Sequence, residues 1–193
     1  MLHNLSKYKV ILGSASPRRH QLLEGIDLPF EVRVIDGIDE TYPATLSPHD
    51  IPEYLAKLKA QFYLPTLSDD ELLITADTVV LLEDHVLGKP KDEDEAKAML
   101  QQLSGCTSQV VTGVSISTKE KQVSFSSTTA VTFVTLSEED IDYYIKRYHP
   151  MDKAGSYGVQ EWIGYIGVSS INGSFYNVMG LPIQQLYSQL SKF

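Results

Sequence analysis

The sequence predicts a mixed α/β fold, with parallel and antiparallel strands in its β-sheet. Three observations carry that expectation. Residues 110–118 and 122–136 are long β-branched runs separated by Lys119, Glu120 and Lys121, the pattern of a central hairpin. Strand-like and helix-like segments are intermixed along the rest of the chain, which argues against an all-parallel sheet. Near the N-terminus a short apolar run leads through a tight loop into a helix start.

Residues 8–12 read as a short buried strand, and Gly13 allows a sharp exit from it. Ser16 is placed to cap a helix. Pro17 suits its first position, because the missing N–H would be unpaired there in any case. Leu22, Leu23 and Ile26 then form an apolar stripe. Residues 30–35 alternate like a strand, Asp36-Gly37 breaks it, and residues 41–48 form a loop. Over residues 49–64, Tyr54, Leu55, Leu58 and Phe62 recur at helical spacing, with Pro52 in the first turn and Pro65 beyond the end.

Residues 71–76 and 79–82 read as strand on either side of Asp77-Thr78, with a turn at Glu83-Asp84. Residues 92–103 form a helix with Ala96, Met99, Leu100 and Leu103 on one face and Gly105 as its stop. Ser137, three residues before Asp140, opens a third helix in capping-box style. Residues 148–182 are rich in glycine and aromatics and show no clear period; Pro182 begins a terminal helix ending near Leu190.

A chain of 193 residues fits one domain or two closely packed lobes and is long enough to bury a real core. Hydrophobic content of 42% and charged content of 21% describe an ordinary globular protein. No stretch approaches the roughly 20 apolar residues of a membrane span. The first ten residues lack the apolar region of a signal peptide. With Cys106 the sole cysteine, no intrachain disulfide forms, and the expected setting is the reducing cytoplasm. A net charge of −9 argues against a general nucleic-acid binder but leaves a polyphosphate ligand open. Distant like charges are screened beyond about 8 Å, so a few converging cations outweigh the global charge.

Residues 14–19 (SASPRR) combine a strand exit, a tight loop and a helix N-terminus, an arrangement that binds anions through backbone N–H groups. Arg18 and Arg19 lie in the first helical turn, where the dipole disfavours cations. Either an anion holds them there or they are solvated side chains of a capped helix. Asp77 interrupts an apolar run and reads as a reacting or metal-bound carboxylate, or else as a turn aspartate capping its own backbone. Near the C-terminal end of its strand, it would face the crevice where α/β proteins bind ligands.

Lys89, between Gly88 and Pro90, offers an ammonium for a phosphate or is a solvated turn residue; no P-loop is present. Lys59 is ambiguous beside Lys57, and Glu40 is a loop carboxylate or a metal ligand. Gln160 ends a polar, glycine-containing loop over residues 152–160, where its amide reads a base edge or caps the backbone. The five histidines show no ligand spacing.

These segments together resemble the Maf family of nucleoside triphosphate pyrophosphatases, nearly end to end. The landmarks are GSASPRR (13–19), GIDE (37–40), LAKLKA (55–60), TADTVV (75–80), GKP (88–90), LSG (103–105), MDKAGSYGVQ (151–160) and GSFYNVMGLP (173–182). Each is weak alone; in the family's order and spacing they are highly specific.

The resemblance implies a single domain over residues 1–193 with the inosine triphosphatase-like Maf fold, an elongated mixed β-sheet flanked by helices, and two lobes around a central cleft. It implies hydrolysis of a nucleoside triphosphate to the monophosphate and pyrophosphate, assisted by Mg²⁺ or Mn²⁺. By the same resemblance Asp77 is the catalytic aspartate, and Ser14, Arg19, Lys59 and Lys89 line the phosphate pocket. Glu40 matches a pocket carboxylate, and the metal is expected to be held partly by Asp77 with Glu40. Arg18, Thr78 and Gln160 match the branch acting on dTTP and UTP; modified pyrimidine nucleotides are an alternative substrate. A homodimer is a family-level expectation. The family's link to inhibition of septum formation supplies a rival reading, a nucleotide-binding regulator without turnover. After residues 103–105 relatives commonly carry a basic residue and, two further on, a histidine; Cys106 and Ser108 stand here instead.

Overall fold

Val10, Ile11 and Leu12 are almost fully buried, and this apolar run forms the strand β1 (Lys9–Leu12). A computed structural model describes residues 2–193 and continues with α1 (Pro17–Glu24), β2 (Glu31–Val32), α2 (Ile51–Tyr63), β3 (Glu71–Leu82) and β4 (His85–Leu87). Then follow α3 (Glu93–Leu103), β5 (Thr107–Ser117), β6 (Gln122–Phe133) and α4 (Glu138–Tyr148). The chain closes with α5 (Trp162–Gly167), β7 (Val168–Asn172), α6 (Phe175–Val178) and α7 (Ile183–Leu190).

The strands form a seven-stranded mixed sheet in the order β2-β1-β3-β5-β6-β7, with β4 paired to β3. β1 pairs in parallel with β2 and with β3, whereas β3–β4 and β6–β7 are antiparallel. The expected central hairpin is β5–β6, and Thr118 N donates to Lys121 O at 2.8 Å across its turn. β3 and β4 form a second hairpin through Glu83-Asp84, with Glu83 at a φ of 54°.

By contact the chain divides into two compact units, the first comprising Met1–Asp77, Thr112–Ser127 and Gly180–Phe193. Within it α2 buries Ile51, Pro52, Leu55, Ala56, Ala60 and Tyr63, while the anticipated Phe62 is 45% exposed. The buried stripe is rotated toward small residues, which lets Thr75 Oγ1 on β3 reach Ala56 O at 2.7 Å. Gly113 on β5 permits a similar approach, since a Cβ there would lie 2.2 Å from the backbone of Pro52 and Glu53.

The second unit comprises Thr78–Val111 and Thr128–Met179. The expected face of α3, namely Ala96, Met99, Leu100 and Leu103, is its buried face, and Asp92 caps the helix at Glu95 N. Ser137 and Asp140 form the expected reciprocal capping box at α4. Among the described residues no helix is long and apolar enough to cross a membrane.

Candidate active site

The loop between β1 and α1 is organised differently from the simple capped helix its residues suggest. Gly13 packs its bare Cα where a Cβ would lie 2.9 Å from Thr75 Cγ2 and 3.1 Å from Tyr63 Cζ, so close approach to β3 requires glycine there. Ser16 sits at the N-cap position with Pro17 following, but its side chain makes no capping bond. Instead the buried Ser14 Oγ accepts from Ser16 N at 3.3 Å. His20, given no role from sequence, places its Nε2 2.7 Å from Ser14 O.

Arg19 ties this loop to distant backbone. Its Nε donates to Gly180 O at 2.8 Å, and its Nη1 to Ala76 O at 2.9 Å and Ser14 Oγ at 3.2 Å. Burial lowers the guanidinium pKa, opposed by the nearby charges of Asp77 and Glu40. Arg19 is thus a brace within the first unit as well as a cation beside two carboxylates. Arg18, one residue earlier in α1, is half-buried.

Asp77 lies in the middle of β3, not near its end, and the strand runs through Asp77-Thr78 unbroken. Its placement relative to β1 still supplies a strand-end position. The parallel pairing of β1 with β3 ends at Leu12 and Ile74, so Asp77 lies just beyond the carboxyl end of its neighbour. One turn before Tyr63 on α2, Lys59 donates to Asp77 Oδ1 at 2.6 Å and stands 2.9 Å from Glu40 Oε2. The Lys59 and Asp77 side chains are each 13% exposed, so the pair is largely removed from water. Lys59, ambiguous by sequence, is the hub of two carboxylates.

Tyr63, missed at the sequence level, fixes the chain that leads to Glu40. Its hydroxyl donates to Arg33 O at 3.0 Å and accepts from Ile35 N at 3.1 Å. Ile35 and Ile38 reinforce it by packing against the core around Tyr63.

The other candidates belong to the second unit. Thr78 is half-buried on β3 and Lys89 is exposed. The segments carrying Lys89 and Gln160 are joined, because Gly155 N donates to Gly88 O at 3.0 Å. Gly155 adopts a φ of 66°, and a Cβ there would strike Val80 at 2.9 Å. Gln160 is half-buried with its Oε1 fully enclosed.

Asp77 and Glu40 present oxygens to one cation, the Lys59 ammonium, which shows that the pair accommodates positive charge. No group of three or more Asp, Glu, His or Cys side chains suited to a metal occurs among the described residues. Such a donor set fits Mg²⁺ or Mn²⁺ sharing its shell with substrate phosphates and water, not a closed protein cage.

The model of the Maf-like protein family matches residues 9–193. This chain belongs to the Maf family. A relative from Parabacteroides distasonis, named dTTP/UTP pyrophosphatase, is 59% identical over 193 residues and the whole of both chains. Another of the same name from Phocaeicola vulgatus is 58% identical over 192 residues, again covering both chains. A solved HAM1 protein from Coxiella burnetii aligns at a TM-score of 0.49 with 12% identity, over 96% of this chain and all of that one. Cys106 is exposed and Ser108 is buried.

Proposed function

We propose that this Maf chain hydrolyses dTTP and UTP to the nucleoside monophosphate and pyrophosphate. The observation that carries the reading is the Asp77 carboxylate, held at 2.6 Å by Lys59 in a mostly buried setting. The full-length relatives named dTTP/UTP pyrophosphatase support the substrate choice.

Asp77 orients a water and accepts its proton as the water attacks the α-phosphorus in line with the departing pyrophosphate. Lys59 fixes the rotamer of that carboxylate. Ser14, Arg19 and Lys89 offset the charge that builds on the phosphate oxygens and the leaving pyrophosphate. Asp77 and Glu40 would hold Mg²⁺ or Mn²⁺, and such an ion supplies further charge neutralisation at phosphate oxygens. Arg18, Thr78 and Gln160 select the pyrimidine. The substrate is a free nucleotide, not nucleic acid, in keeping with the net charge of −9. A cytoplasmic setting accords with the single Cys106, and a homodimer is retained as the family-level proposal.

The test is pyrophosphate release from dTTP, UTP, dCTP, CTP and GTP, with Mg²⁺, with Mn²⁺ and with chelator. Fastest release from dTTP and UTP, abolished by chelator, is the expected result. Tight binding without turnover would instead establish a nucleotide-binding regulator.

A further inference from the structure

The turn that carries Gln160 is bolted at both ends by one phenol oxygen. Glu161 N donates to Gly158 O at 2.9 Å, closing a four-residue turn with Val159 and Gln160 at its corners. Tyr144, fully buried on α4, accepts from Gly158 N at 3.0 Å and donates to Glu161 Oε2. The other Glu161 oxygen lies 3.3 Å from Lys153 Nζ, itself buried and 2.8 Å from Asp152 Oδ1. Burial first, then the hydrogen bond to Glu161, raises the Tyr144 pKa, so the phenol stays protonated as a donor.

Within this frame the Gln160 amide packs against bare backbone. A Cβ on Gly158 would lie 2.9 Å from Gln160 Nε2 and 2.8 Å from Glu161 Cδ. Gln160 Oε1 is buried with no hydrogen-bond partner among the described residues. A buried acceptor in that condition is costly unless a ligand supplies a donor. Uracil and thymine present an N3–H donor beside a carbonyl; cytosine presents the reverse pattern. An amide free to turn over reads both patterns, whereas a fixed amide reads one.

We infer that Tyr144 and Glu161 are specificity-determining positioning residues, which lock the Gly158–Glu161 turn so that Gln160 offers its acceptor to the N3–H of the base. The inference rests on the proposed pyrimidine pyrophosphatase reading and adds residues to which that reading gives no role.

The test compares wild type, Tyr144→Phe, Glu161→Ala and Glu161→Gln by kcat and KM on dTTP and dCTP. In Tyr144→Phe and Glu161→Ala, the dTTP-over-dCTP ratio of kcat/KM falls about tenfold, the scale of one lost hydrogen bond. The fall resides mainly in KM for dTTP, because the base lies away from the reacting phosphorus. Glu161→Gln keeps an acceptor for the Tyr144 hydroxyl and retains most of the selectivity. General loosening would lower both substrates alike and leave the ratio unchanged. Wild-type preference for dTTP with unaltered ratios in Tyr144→Phe and Glu161→Ala overturns this inference and leaves the activity standing. A wild type that releases no pyrophosphate from any nucleotide overturns both. Glu161 is partly exposed, so its variants decide the matter if Tyr144→Phe does not fold.

Discussion

Lys59 Nζ lies 2.6 Å from Asp77 Oδ1, so an ammonium on helix α2 pins a carboxylate in the middle of strand β3. The same ammonium reaches Glu40 Oε2 at 2.9 Å, which brings a loop carboxylate to the strand. A charged residue inside an apolar strand is tolerated because its partner arrives from the helix packed on it.

Asp77→Asn removes the base while preserving shape. Turnover of dTTP falls by about 10²–10⁴-fold, the range for general-base help. The melting temperature changes little, because Lys59 keeps Glu40 as its partner. Steady-state pyrophosphate release together with a thermal melt checks both parts, and near-wild-type turnover would remove Asp77 from the reaction.

Arg19 and Lys89 separate two kinds of cation. Arg19→Lys keeps the charge but loses the fork to Gly180 O, Ala76 O and Ser14 Oγ, and costs about 1–3 kcal/mol of stability for carbonyls left without donors. Lys89 is exposed, so Lys89→Ala leaves the melt unchanged and raises KM for the nucleotide. Chemical denaturation and kinetics on the two variants check this; an Arg19→Lys chain as stable as wild type would contradict the bracing role.

Glu71 contributes to the acid limb of stability. Arg33 donates to its two oxygens at 2.6 and 3.2 Å, and Ser68 N adds a bond at 2.9 Å. The Arg33 hydrogen bond first, then the Ser68 bond, hold the carboxyl pKa down at about 2, against an ordinary value of 4.5. A depressed carboxylate stabilises the fold fully above its unfolded value, and that contribution is lost as pH falls from about 4.5 toward about 2. Glu71→Gln therefore loses about 1–2 kcal/mol at neutral pH, after allowance for solvent screening at the half-exposed Arg33, and flattens the stability curve over that window. Urea melts from neutral pH down to about pH 3 check the slope.

The elements with local signals were legible in the sequence. Ser137 and Asp140 specify their own capping box, and α3 buries the four residues that its period marks. Residues 30–35 illustrate the opposite case, since only Glu31–Val32 is strand. The alternation is real, but Tyr63 captures Arg33 O and Ile35 N and diverts that backbone from the ladder.

Asp77-Thr78 reads as a break because a charge in an apolar run is unfavourable without its partner, and Lys59 is 18 residues away in sequence. The motif residues of the site were recognisable, yet the bracing role of Arg19 was not. Its partners are backbone carbonyls 57 and 161 residues away, which side-chain identity does not encode. Tyr144 and Glu161 were invisible for the same reason, as their bonds meet at a turn in the aperiodic region.

Hydrolysis of dTTP in oxygen-18-labelled water by the purified chain with Mg²⁺ tests the central claim most directly. Attack at the α-phosphorus predicts one labelled oxygen in the dTMP and an unlabelled pyrophosphate. Labelled orthophosphate with dTDP, or label in the pyrophosphate, would contradict it.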